Sequence, residues 1–140
     1  MNRKPDCIFC QIVEGRAPAF LVDEDATTLS FLDLFPVAKG HTLVVTREHF
    51  ENLFEASPEA LAGVVTASRR VAHAIREAIV PEGLGVFQLN GAAAGQTIFH
   101  YHMHLVPRWH GQEFKLHSRV RGDADQLRAT AARIQAAVKR

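Results

Sequence analysis

Phe99-His100-Tyr101-His102-Met103-His104-Leu105-Val106-Pro107 is the stretch that decides how this 140-residue chain folds. Apolar and polar residues alternate strictly from Phe99 to Leu105, the period-two pattern of a strand with one buried face. Tyr101, Met103 and Leu105 are predicted to face a core. The three imidazoles then share the opposite face at intervals of about 6.6–7 Å, two residues of strand rise. A solvated face has no reason to prefer imidazole over Thr, Lys or Glu. Histidine changes charge near neutral pH and serves as nucleophile, acid, base or metal ligand. The row is therefore a candidate site, either a catalytic one or one in which two or three rings share a metal ion with a ligand from elsewhere.

Outward from this strand, Gly91–Gly95 is a small-residue loop and Gly85–Asn90 a preceding strand. Ser57-Pro58-Glu59 is a helix start, with serine as cap and proline at the first helical position. That helix runs through Leu61, Val64, Val65, Val71, Ala72 and Ile75 to about Ile79, before Pro81. Phe20–Val22 and Thr28–Leu34 read as strands around an Asp23-Glu24-Asp25 turn, and Lys39-Gly40 turns into a Val-rich strand, His41–Thr46. Cys7–Glu14 carries apolar residues at helical spacing and stops at Gly15. Trp109–Asp123 reads as irregular and exposed, and Leu127, Ala131, Ile134 and Val138 outline a closing amphipathic helix. Strands in hairpin-like succession around one long helix predict an α+β class: a mostly antiparallel sheet of about five strands, the long helix and a C-terminal helix.

The length suits one domain, residues 1–140, with a core over about 7–107 and a C-terminal extension over 108–140. Lys plus Arg, 16, nearly balance Asp plus Glu, 15. No basic field exists to gather a nucleic-acid polymer, so any phosphate ligand needs a local site. The charged start Met1–Asp6 lacks an apolar segment after it, and no apolar run reaches the roughly 18 residues of a membrane helix. These features predict a soluble cytoplasmic protein without membrane association, its two cysteines, Cys7 and Cys10, reduced. Cys-x-x-Cys is a zinc signal, and two buried thiols are the other reading.

The run His-φ-His-φ-His-φ-φ resembles that of the histidine triad superfamily of nucleotidyl hydrolases and transferases. Phe31-Leu32-Asp33-Leu34, Lys39–Val45, Asn90-Gly91 and Gly95-Gln96-Thr97 fall in the order of its nucleoside phosphoramidase branch and bacterial relatives, so the likeness covers about residues 7–107. The resemblance implies that His102 attacks phosphorus, with a covalent nucleotidyl-histidine intermediate, and that His104, Gln96 and Thr97 assist at the phosphate. It implies a nucleotide pocket made by Ile8, Phe9, Ile12, Phe31, Leu34, Asn90 and Gly95, with Asp33 accepting from the ribose hydroxyls and His41 supporting from behind. It also implies a structural zinc held by Cys7, Cys10, His49 and His100, and a twofold homodimer. Cleavage of a purine nucleoside 5′-phosphoramidate or related adenylate is the leading reading. A dinucleoside polyphosphate hydrolase and a non-enzymatic nucleotide-binding interaction protein are the alternatives. No Lys or Arg lies between Glu82 and Val106, so neutral donors are predicted to meet the phosphate charge, with no magnesium requirement.

Overall fold

In the computed structural model, which describes residues 2–140 and leaves Met1 outside, the apolar residues after Cys7 form a short helix, α1 (Ile8–Val13). Gly15 follows it with φ 75°, the left-handed exit open to a residue without Cβ. Next come β1 (Leu21–Glu24) and β2 (Thr28–Leu32), an antiparallel hairpin. Its turn sits later than the sequence predicts. Asp25 Oδ1 accepts from the N–H groups of Thr27 and Thr28 at 2.9 and 2.7 Å, which places the turn after Glu24. Asp23 can remain in the strand because Arg70 and Arg140 donate to its carboxylate at 2.8 and 2.7 Å. The second strand stops short of Leu34, since Asp33 Oδ1 accepts from the Phe35 N–H and bends the chain toward Pro36.

Strand β3 (Thr42–Thr46) leads to α2 (Pro58–Ile79), capped by Ser57 Oγ, which accepts from the Ala60 N–H at 3.1 Å. This helix ends with Val80 at φ 54°, just before Pro81. Strand β4 is Gly83–Phe87 rather than Gly85–Asn90, because Gly83 pairs with Arg108 while Gln88 and Asn90 turn their side-chain amides on one another at 2.7 Å. The histidine run becomes β5 (His102–Arg108), and Phe99–Tyr101 lies ahead of it. The Tyr101 N–H donates to the Phe50 carbonyl at 2.7 Å rather than to a flanking strand, which delays the start of pairing. The closing helix is α3 (Ala124–Ala137).

The sheet order is β1-β2-β3-β5-β4, antiparallel throughout. Two cores lie on its two faces. The larger packs Val22, Leu32, Val44, Tyr101 and Leu105 against Val64, Val71 and Ile75 of α2 and Leu127 and Ile134 of α3. Each fully buried Val, Leu or Ile there contributes about 1.5–3 kcal/mol. Gly63 lets α2 approach the hairpin, since a Cβ at that position would lie 2.7 Å from Thr27 Oγ1. The smaller core joins Phe9 of α1 to Leu29, Phe31, Leu43 and Val45. Tyr101, Met103 and Leu105 belong to the helix-covered face, as alternation predicts, so His102 and His104 emerge on the face that carries α1. Among the described residues no helix is long and apolar enough to cross a membrane.

Candidate active site

Strand pairing sets the triad rings. His102 lies opposite Val45, and His104 lies between Leu43 on one side and Phe87 on the other. The Phe87 ring stacks on His104 at 4.6 Å, and the edge of Phe9 meets His102 at 5.1 Å. His102 Nδ1 is 2.6 Å from the His100 carbonyl oxygen. A carbonyl only accepts, so Nδ1 carries the proton and Nε2 keeps its lone pair. Burial holds the ring below the usual histidine pKa, so it stays neutral and nucleophilic at pH 7.

A second chain of nitrogens fixes His104. His41 Nδ1 accepts from the Val37 N–H at 3.1 Å, so its proton sits on Nε2, 3.0 Å from His104 Nδ1. His104 must accept there and therefore presents an Nε2–H. Burial, joined by the nearby positive charge of Arg108, pushes His41 down to about 3; burial and the neighbouring His102 and His41 push His104 to about 2. Asp33 Oδ2 lies 3.6 Å from His41 Nε2, and Asp33, His41 and His104 have the spacing of a metal site. The Val37 N–H argues against that use, because it keeps a proton on the nitrogen that a metal would need. Burial raises the Asp33 carboxyl.

At the other end of the run the nitrogens converge. His100 donates from Nε2 to the Thr46 carbonyl at 2.6 Å, which leaves the Nδ1 lone pair pointing at Cys7 Sγ (3.4 Å), Cys10 Sγ (3.5 Å) and His49 Nδ1 (3.2 Å). Cys10 Sγ and His49 Nδ1 are 3.3 Å apart. All four donor atoms lie within 4.8 Å of one another. A tetrahedral zinc with bonds of about 2.0–2.3 Å has ligand edges of about 3.3–3.8 Å. The donor set thus fits zinc in both chemistry and spacing.

Between the triad and α1 opens a cleft of about 540 Å³. Ile8, Phe9, Ile12, Phe31, Leu34 and Asp33 all line it, together with Thr97, His102 and His104. Gln96 does not. Its Oε1 accepts from the Gly91 N–H at 2.7 Å and its Nε2 donates to the Glu51 and Ile98 carbonyls at 2.6 and 3.1 Å. Its amide thus braces the loop instead of facing a phosphate. Asn90 is spent likewise, accepting from the Leu53 N–H at 2.8 Å as well as pairing with Gln88. Gly95, with φ 99°, serves through its carbonyl, 2.6 Å from His117 Nε2.

Beyond the apolar wall residues, the sequence reading missed Phe87 and the segment from His117 to Arg119. Phe87 was placed in a strand, and only the register of β4 shows that it stacks on His104. His117, Ser118 and Arg119 come from the aperiodic segment and line the cleft. His73, on α2, and His110, beside Glu82, are exposed and remote from it.

Residues 14–111 match the HIT domain family. The chain is 44% identical over 109 residues to Protein hit of Bacillus subtilis, covering 78% of this chain and 75% of that one. It is 34% identical over 129 residues, 87% of this chain and 66% of the other, to Adenylylsulfatase HINT3 of Arabidopsis thaliana. Among solved structures, a Hit-like protein involved in cell-cycle regulation from Bartonella henselae superposes with a TM-score of 0.91 at 33% identity, covering 99% of this chain and 100% of that one. A Zn-bound histidine triad family protein from Mycobacterium smegmatis gives 0.84 at 38% identity, covering 94% and 92%.

Proposed function

Because this chain belongs to the HIT family, a superfamily of nucleotide-binding hydrolases, we propose that it cleaves a purine nucleoside 5′-phosphoramidate or related adenylate through a nucleotidyl-histidine on His102. The observation that carries the reading is the 2.6 Å contact from His102 Nδ1 to the His100 carbonyl, which frees Nε2 for attack. In the first step the Nε2 lone pair forms a bond to the α-phosphorus, and the bond from phosphorus to the leaving group breaks with its electron pair departing on that group. The Nε2–H of His104 donates a hydrogen bond to the phosphoryl oxygens or the leaving atom. Water then forms a P–O bond as the N–P bond breaks, releasing the nucleoside monophosphate and a proton to solvent. Asp33, raised by burial and placed on the cleft wall, receives the ribose hydroxyls, and the apolar side chains around it hold the base.

Cys7, Cys10, His49 and His100 would hold a zinc ion, which would cross-link α1 to the start of the histidine run. No added magnesium is needed. The exposure of Val65 on α2 and Val86 on β4, 59% and 53%, supports a twofold homodimer built on that helix and sheet edge. An adenylyl sulfate is favoured as one substrate by the relative named an adenylylsulfatase. Intact-mass measurement of the protein mixed with adenosine phosphoramidate, adenylyl sulfate and a dinucleoside tetraphosphate tests the reading. A nucleotidyl adduct that is absent from His102→Ala is the expected result, and an adduct retained in that variant would refute it.

A further inference from the structure

The triad end of the cleft is poor in positive charge. Burial holds His41 and His104 neutral, and Asp33 adds a carboxylate. A nucleoside phosphate brings at least one full negative charge to this surface. Among the described residues one Lys or Arg lines the cleft, Arg119.

Arg119 reaches the cleft on a short strap, whose residues His117 and Ser118 also line it. One end is tied by His117 Nε2 to the Gly95 carbonyl at 2.6 Å, and the other by the Gly122 N–H to the Leu34 carbonyl at 2.8 Å. Neighbouring arginines are committed: Arg108 stacks on Phe114 and donates to the Lys115 carbonyl at 3.0 Å, and Arg121 lies over Phe35. The guanidinium of Arg119 has no hydrogen bond, ion pair or ring contact among the described residues. An exposed guanidinium on the cleft wall with no partner among the described residues suits an anionic ligand, and guanidinium matches phosphoryl oxygens two at a time.

We propose that Arg119 is a substrate-binding residue that reads the anionic group of the nucleotide, either its α-phosphate or a second anion joined to it. This rests on the nucleotide reading above and adds to it the source of positive charge. Binding of adenosine, AMP and ADP to the full-length wild type, Arg119→Gln and Arg119→Lys, followed by calorimetry at two salt concentrations, is the test. Arg119→Gln is expected to leave adenosine affinity within twofold while weakening an anionic ligand at least fivefold, with most of the loss restored in Arg119→Lys and a shallower salt dependence. Loss shared by AMP and ADP assigns the contact to the α-phosphate; loss confined to ADP assigns it to the second anion. Equal weakening of all three ligands, or no change in any, overturns the proposal while the nucleotide reading stands. Failure of the wild type to bind any of the three overturns both.

Discussion

Two clusters of buried imidazoles share one five-residue stretch, and they differ in where their protons sit. At the Cys7/Cys10/His49/His100 end, the Thr46 carbonyl takes the one N–H of His100 and turns its lone pair inward, toward two sulfurs and another ring nitrogen. At the His41/His102/His104 end, each contact joins a donor to an acceptor in sequence, from Val37 through His41 to His104, and from His102 to the His100 carbonyl. Convergent donor atoms suit a cation. Alternating donors and acceptors need none, and they hold each ring in one neutral tautomer. The same residue type thus does two jobs, chosen by which backbone group claims one of its nitrogens.

The largest effect that separates the clusters is expected at His102, the proposed nucleophile. His102→Asn should lower kcat at least ten-thousandfold, more than about 5 kcal/mol of barrier, while zinc content and AMP affinity stay near wild type. Turnover within tenfold of wild type would assign the attack elsewhere. The converse substitution, Cys10→Ser, should remove zinc as measured by metal analysis. With zinc at about a thousandfold over its Kd, lost binding lowers unfolding free energy by about 4 kcal/mol, readable from urea melts. Metal content unchanged in that variant would break the distinction.

A smaller effect belongs to the cleft wall. Asp33→Ala should weaken ribonucleotide binding by about 1.5–3 kcal/mol and should narrow the gap between AMP and its 2′-deoxy analogue. An unchanged gap would return Asp33 to a structural role beside Phe35 and His41. The most gradual effect, spread over several pH units, is on acid stability. His41 falls from an ordinary 6.5 to about 3 on burial, so below pH 6.5 the unfolded chain takes a proton that the folded chain refuses. Stability is full above that pH and falls as acid is added, by at most about 1.4 kcal/mol per pH unit for one such group. His41→Gln should flatten the fall between about pH 6 and 4 by one proton. An unaltered slope would show that another group supplies it.

What was legible in the sequence follows the same division. Alternation marked His102 and His104 as sharing a face, and the cap at Ser57 with Pro58 marked the long helix, because both signals are local. The family likeness brought His49 to the cysteines across a sequence separation that no periodicity records. The family likeness implies Gln96 at the phosphate and Asn90 in the nucleotide pocket, and nothing local in the sequence shows what their amides bond. Only the fold shows that Gly91, Glu51, Ile98 and Leu53 occupy them. Arg119 was invisible because its strap has no repeat, and its position depends on two hydrogen bonds to distant carbonyls at Gly95 and Leu34.

His100 belongs to both clusters at once: its ring faces the sulfurs and its carbonyl holds the proton of His102. It is a hinge pin on which the proposed zinc cross-link and the proposed nucleophile turn together. A rotation of that peptide large enough to break the 2.6 Å contact would take the carbonyl away from Nδ1. A tautomer then exchanges where one had been fixed. Substitution at position 100 can therefore never test the two ends independently, whereas changes confined to Cys7 or Cys10 leave the peptide itself untouched and ask whether the pin stays straight without its outer bearing.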